Sequence, residues 1–168
     1  MADNFLMLDG KKYELSPELA NALRSCVEPE PEKKSPFERV ESNTPYHFIS
    51  YDGTVGLTHE AYTSIDDGIF SVANYCTDKA LMEQRALHET LNRLLWRYSE
   101  EHGGDADWNG EDYHYSIIYD DTDGFFGCAS NVYHKGNGVV YFKDRNLAEA
   151  AIAEIVKPFL AAHPDFVW

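Results

Sequence analysis

Positive charge is scarce in this chain. Fourteen Lys and Arg stand against 29 Asp and Glu, for a formal net charge of -15 over 168 residues. The deficit is spread along the sequence: about -2 over residues 1–36, about -8 over 37–110 and about -5 over 111–168. No segment is basic, so direct binding to nucleic-acid phosphates is not expected, because that binding rests on Lys and Arg displacing counterions. Cysteine is sparse too. Cys26, Cys76 and Cys128 form no CxxC pair, which argues against a disulfide framework or a thiolate metal site and for reduced thiols. The start, Met1-Ala2-Asp3-Asn4-Phe5, has no basic region followed by an apolar stretch. No apolar run reaches membrane-spanning length. The expectation is a soluble protein of the cytoplasm, with no membrane partner.

Catalytic signatures are missing as well. There is no P-loop, no GxGxxG after a strand and no GxSxG. His88-Glu89 opens like a zinc-protease helix, but Asn92 occupies the position of the second histidine, so two imidazoles cannot share the metal. Asp120-Asp121-Thr122-Asp123-Gly124 is dense in carboxylate yet lacks the ligand number and terminal Glu of an EF-hand loop. A hairpin turn explains the same residues. Cys76 precedes a helix start that could activate a thiol, but no histidine is placed to pair with it, and burial is the simpler role. The expectation is no enzyme, no cofactor and no metal.

What the chain does have is an internal echo. Tyr51-Asp52-Gly53-Thr54-Val55-Gly56 matches Tyr119-Asp120-Asp121-Thr122-Asp123-Gly124 in its Tyr, Asp, Thr and Gly. Tyr75-Cys76-Thr77-Asp78-Lys79-Ala80-Leu81-Met82-Glu83 matches Tyr141-Phe142-Lys143-Asp144-Arg145-Asn146-Leu147-Ala148-Glu149 at nearly the same offset. Such self-similarity points to a duplicated unit of strands followed by a helix. The fold class expected is α+β. Two pseudo-repeated antiparallel hairpin–helix units, residues 44–104 and 111–168, form one sheet-plus-helix core within a main domain of 44–168. Two half-domains packed face to face remain an open alternative.

Ahead of that domain, residues 1–27 read as a small module. Asp9-Gly10 is a two-residue hairpin turn, and Ser16-Pro17 starts a helix. Residues 28–43, rich in Pro and Glu, read as a linker. In the main domain, Tyr46–Tyr51 and Thr54–Thr63 are expected strands, followed by a turn and a short strand near Val72–Cys76. Thr77 or Asp78 then caps a long helix with Ala80, Leu87, Leu91, Leu94, Leu95 and Tyr98 on its stripe, ended by Gly103-Gly104. Tyr113–Tyr119, Phe125–Tyr133 and Gly138–Phe142 are expected strands. Asp144 caps a last helix that Pro158 kinks or stops. Phe166-Val167-Trp168 is expected to pack back.

The span Asn74–Ala86, Asp107-Trp108-Asn109 before a Tyr-rich strand, and Val140-Tyr141-Phe142 before an Ala-rich helix resemble a pattern of small phage and prophage accessory proteins of Gram-positive bacteria. The resemblance covers residues 44–168 and carries no catalytic residues. It implies a host bacterial cytoplasm and a role against host defence, with anti-CRISPR proteins the leading class. Such a protein would occupy the basic nucleic-acid surface of a Cas effector nuclease with its carboxylates. On that reading the partner is a host defence protein. The contact candidates are Asp105, Asp107, Trp108, Glu111 and Asp112 in one connector, and Asp120, Asp121 and Asp123 in one turn. The simpler role for the connector is a loop whose Trp108 anchors on the core. Two other functions stay open. One is a sponge for a signalling nucleotide, needing Tyr with Arg85, Arg93 and Arg97. The other is a structural or regulatory adaptor acting through oligomerisation.

Overall fold

A computed structural model describes residues 5–27 and 35–168. Residues 28–34 of the expected linker and the side chain of Cys26 lie outside the described residues. The chain divides into two compact units, Met1–Ser35 and Pro36–Trp168.

In the first unit, β1 (Phe5–Leu8) pairs with β2 (Lys11–Glu14) antiparallel, Leu8 opposite Lys11. Asp9 and Gly10 both take positive φ, 50° and 75°. This is the left-handed backbone twist that a two-residue hairpin turn needs, and Asp-Gly tolerates it. Helix α1 (Pro17–Val27) follows, with the Ser16 hydroxyl accepting from the Leu19 amide at 3.2 Å.

The second unit is α+β. β3 (Pro45–Ile49) and β4 (Val55–His59) form an antiparallel hairpin. After it come α2 (Ser64–Ser71) and the long α3 (Lys79–Glu101). β5 (His114–Asp120) and β6 (Phe125–Asn131) form a second hairpin, with Ile117 opposite Cys128. The chain then runs through α4 (Arg145–Ala151), a π-helical turn (Ile152–Val156) and α5 (Lys157–Ala162). The hairpins do not merge into one sheet; each stays a separate two-stranded ladder. The inner strand of each has its second edge taken by one more residue. His47 exchanges both backbone bonds with Cys76 (2.7 and 3.0 Å), and Tyr115 does so with Phe142 (3.0 and 2.8 Å). Of the expected strands Val72–Cys76 and Gly138–Phe142, only these single bridges form. Ala73 (φ 55°) and Gly138 (φ 74°) turn the backbone out of line just before them. Asn74 lengthens the first bridge by acting as a strand residue with its side chain. Its amide accepts from the Ile49 N–H at 2.7 Å and donates to the Ile49 carbonyl at 2.8 Å.

Aspartate starts both major helices. Asp78 accepts from Leu81 N at 3.1 Å, and Asp144 from Leu147 N at 2.8 Å. Each removes one orphan donor from a helix N-terminus. α3 packs on β3 and β4, α4 packs on β5 and β6, and the two helices touch. Met82 and Ala86 on α3 join Ile49 and Cys76 in one core cluster. Further along, Leu91, Leu95 and Tyr98 join Phe142, Ala148, Ala151, Val156 and Phe159 in another. Pro158 does not stop the last helix. It has no N–H to bond back one turn, and its ring would crowd the carbonyl four residues earlier. The wider π turn just before it accommodates both. Phe166 packs edge-on against Phe159, with ring centroids 5.6 Å apart. Gln84 pins the tail, donating to the Asp165 carbonyl (2.7 Å) and accepting from Val167 N (3.0 Å).

Candidate functional site

The connector leaves α3 through Gly103 and Gly104, both with positive φ. Asp105 then turns inward. One carboxylate oxygen accepts from His114 Nδ1 at 2.8 Å and the other from Trp108 Nε1 at 2.8 Å. The Trp108 indole lies flat on the His114 ring, centroids 3.6 Å apart and planes 3° off parallel, and meets Tyr141 edge-on at 5.1 Å. Lys135 Nζ sits 5.4 Å from the indole centroid. His114 is fully buried, and its Nε2 has no hydrogen-bond partner. Two of the expected contact residues, Asp105 and Trp108, therefore hold the loop to the core.

The rest of the connector is tied locally. Asn109 accepts from the Glu111 and Asp112 amides (2.8 and 3.1 Å) and donates to Asp112 Oδ2 at 2.7 Å. Asp107 and Glu111 face solvent. At the far end of β5, Asp120 accepts from Thr122 N (2.9 Å) and Asp123 N (3.4 Å), and Gly124 takes φ 66°. These are the bonds of a hairpin turn, and Asp121 and Asp123 project outward from it. The connector and the turn flank opposite ends of β5, about 20 Å apart at the rise of an extended strand. The eight candidates thus fall into two separate groups, with Asp105 and Trp108 turned inward in the first. Among the described residues no group of three or more His, Cys, Asp or Glu is placed to hold a metal ion.

A second polar cluster was not anticipated from the sequence. Glu60 is fully buried. The Arg39 guanidinium grips it with two bonds of 2.9 and 3.0 Å and reaches Asp67 at 2.7 Å. Tyr75 OH (3.2 Å) and Tyr62 N (2.7 Å) complete the shell around Glu60. Beside it, buried Asp66 accepts from Tyr46 OH at 2.6 Å and from the Thr63 amide and hydroxyl at 2.9 and 2.7 Å. Tyr46 and Tyr75 stack at 4.0 Å between the two acids. The Arg39 bonds, ahead of the opposing effect of burial, hold the Glu60 carboxyl below its ordinary range. The Tyr46 hydroxyl, then the Thr63 amide and hydroxyl, hold Asp66 well below its own. Burial first, then the Asp66 bond, pushes the Tyr46 hydroxyl far up. Every charge here is satisfied. The cluster fastens residues 36–43, expected as linker, to the domain. Val40 N donates to Tyr75 OH at 3.1 Å, and Thr77 N donates to the Pro36 carbonyl at 2.8 Å. The one local signal was Thr63-Ser64-Ile65-Asp66, a capping box that starts α2. The pairing of Arg39 with Glu60 and Asp67 is long-range and leaves no mark in sequence spacing.

Among the described residues, neither cysteine is paired with a base. Cys76 sits opposite His47 in its bridge but is fully buried, and no hydrogen bond joins the two side chains. Burial, then the Glu149 charge, pushes the Cys128 thiol up, away from thiolate. Arg85, Arg93 and Arg97, the cations a nucleotide would need, are each paired to Glu89 or Glu101 on their own helix. Compared with protein-family models, curated proteins and solved structures, the chain gives no match. No helix among the described residues is long and apolar enough to cross a membrane.

Proposed function

We propose that this chain is a non-catalytic acidic binding protein of a phage or other mobile element. It works in the host bacterial cytoplasm by engaging the basic surface of a host defence complex, a Cas effector nuclease being the leading candidate. The observation that carries this reading is that exposed loop carboxylates go unpaired while six of the fourteen Lys and Arg are engaged within the chain. Lys79, Arg85, Arg93, Arg97 and Arg145 each pair with a glutamate on their own helix, and Arg39 is consumed by Glu60 and Asp67. The loop carboxylates Asp107, Glu111, Asp121 and Asp123 are exposed and enter no ion pair among the described residues. Unpaired negative charge therefore sits on loops at both ends of β5, an arrangement that can steer a protein toward a basic surface. The nucleotide-sponge reading is weaker, because its three arginines each lie beside a glutamate of their own helix, Glu89 or Glu101.

The test is inhibition of nucleic-acid loading by purified Cas effector nucleases in the presence of this protein. Inhibition is expected to compete with nucleic acid and to weaken when Asp107, Glu111, Asp121 and Asp123 are changed to their amides. Effectors that load normally at a large excess of the protein would reject the defence-complex target. Inhibition that survives the amide changes would reject the electrostatic mechanism.

A further inference from the structure

A cleft of about 370 Å³ opens beside α3 in the second unit. That volume lies at the small end of ligand sites. Its lining is mostly apolar: Leu91 and Leu95 from α3, Ile117 from β5, and Val140. Phe166 and Trp168 form an aromatic wall, their rings edge-to-face at 6.3 Å. This wall is built rather than incidental. Gln84 holds the backbone on both sides of Phe166 by the bonds to Asp165 and Val167, and Trp168 also meets Phe126 at 4.9 Å.

The polar rim decides what the cleft would take. Glu89 is the carboxylate at its edge. Arg85 Nε bonds it at 2.9 Å, and Arg93 Nη2 lies at 3.7 Å. A cation entering would find a carboxylate already bonded to Arg85. An anion would find no Lys or Arg in the lining, since neither Arg85 nor Arg93 belongs to it, inside a protein of net charge -15. Either would lose hydration without gaining a free counter-charge in the cleft. Asn92 differs. Its Nδ2 donates to the Gly138 carbonyl at 2.8 Å, which fixes the amide and leaves its oxygen as an acceptor uncommitted among the described residues. The His88 ring rests on Phe166 at 4.6 Å.

We propose that this cleft binds an uncharged, planar, aromatic or heteroaromatic molecule of about two fused rings. One N–H or O–H of the ligand is donated to Asn92, and its face lies against the Phe166–Trp168 wall. This site is separate from the acidic loops, and its failure would leave the reading of those loops untouched.

The test is a titration of the full chain followed by NMR, with four probes: indole, naphthalene, the indole-3-acetate anion and the tryptamine cation. Indole is expected to bind saturably and at least about tenfold more tightly than either charged analogue, a difference of about 1.4 kcal/mol. Naphthalene, which has no donor, is expected to bind more weakly than indole, and Asn92→Ala should erase that preference. Val139 lines the cleft at its exposed rim (44 % exposed). Val139→Trp is expected to fill the space and cut indole affinity by about tenfold without lowering the melting temperature. The proposal is overturned if indole shows no saturable binding up to its solubility, or if the charged analogues bind as well as indole. Unchanged indole binding by a folded Val139→Trp variant would overturn it too.

Discussion

Tyr46 and Asp105 show how single side chains hold this molecule together from inside. Tyr46→Phe removes one hydroxyl, leaves buried Asp66 short of its closest donor, and should cost about 1–3 kcal/mol. Chemical denaturation reads that directly, and a variant as stable as the parent would mean the bond contributes nothing. The same cluster predicts acid sensitivity with a definite sign. Glu60 and Asp66 have folded-state pKa values below their ordinary 4.5 and 3.8. Their contribution is complete above those ordinary values and is lost as pH falls through the lower folded ones. Melting temperature should therefore drop as pH goes below about 4.5, and less steeply in Glu60→Gln, whose baseline stability is lower. Asp105→Ala frees the Trp108 indole and leaves His114 with both ring nitrogens unpaired. About 2 kcal/mol should be lost, with a red shift in tryptophan emission. Unchanged emission and stability would place the loop's anchor elsewhere.

Elements explain why the sequence was readable in some places and opaque in others. Asp9-Gly10, Asp78, Asp144 and the turn at Asp120 act through neighbours a few residues away, and each is where the sequence placed it. α2 was overlooked because it is short, with Gly68 in its interior, and its capping box lay within a stretch read as strand and turn. The α3 stripe was half legible. Leu91, Leu95 and Tyr98 are buried as expected, but Ala80 is exposed, and Met82 and Ala86 face the first hairpin instead. A helix serving two cores turns two stripes toward them, and no single periodicity reveals both. The Arg39 clamp and the cleft are products of tertiary contact and leave no local trace. The matched bridges and caps at Cys76/Phe142 and Asp78/Asp144 support, as a proposal, the duplicated unit read from the sequence. Asp78→Ala and Asp144→Ala should each cost about 1 kcal/mol. Thermal melts of the two variants test this, and a loss in one alone would break the equivalence.

Among the described residues of the whole molecule, internal pairing engages six of the chain's fourteen Lys and Arg and leaves exposed carboxylates unpaired on loops. The connector is only partly free for contact, since two of its candidate residues point inward. A partner would therefore meet Asp107, Glu111 and Asp112 at one end of β5 and Asp121 and Asp123 at the other. The most direct measurement is the ionic-strength dependence of the protein's inhibition of effector loading. Loop-charge steering predicts inhibition that weakens by at least about tenfold as salt rises from about 0.05 to 0.3 M, as charges outside a Debye length cease to act. It also predicts a flatter slope in the amide-substituted variant. Inhibition as strong at high salt as at low, with the variant following the same line, would contradict it.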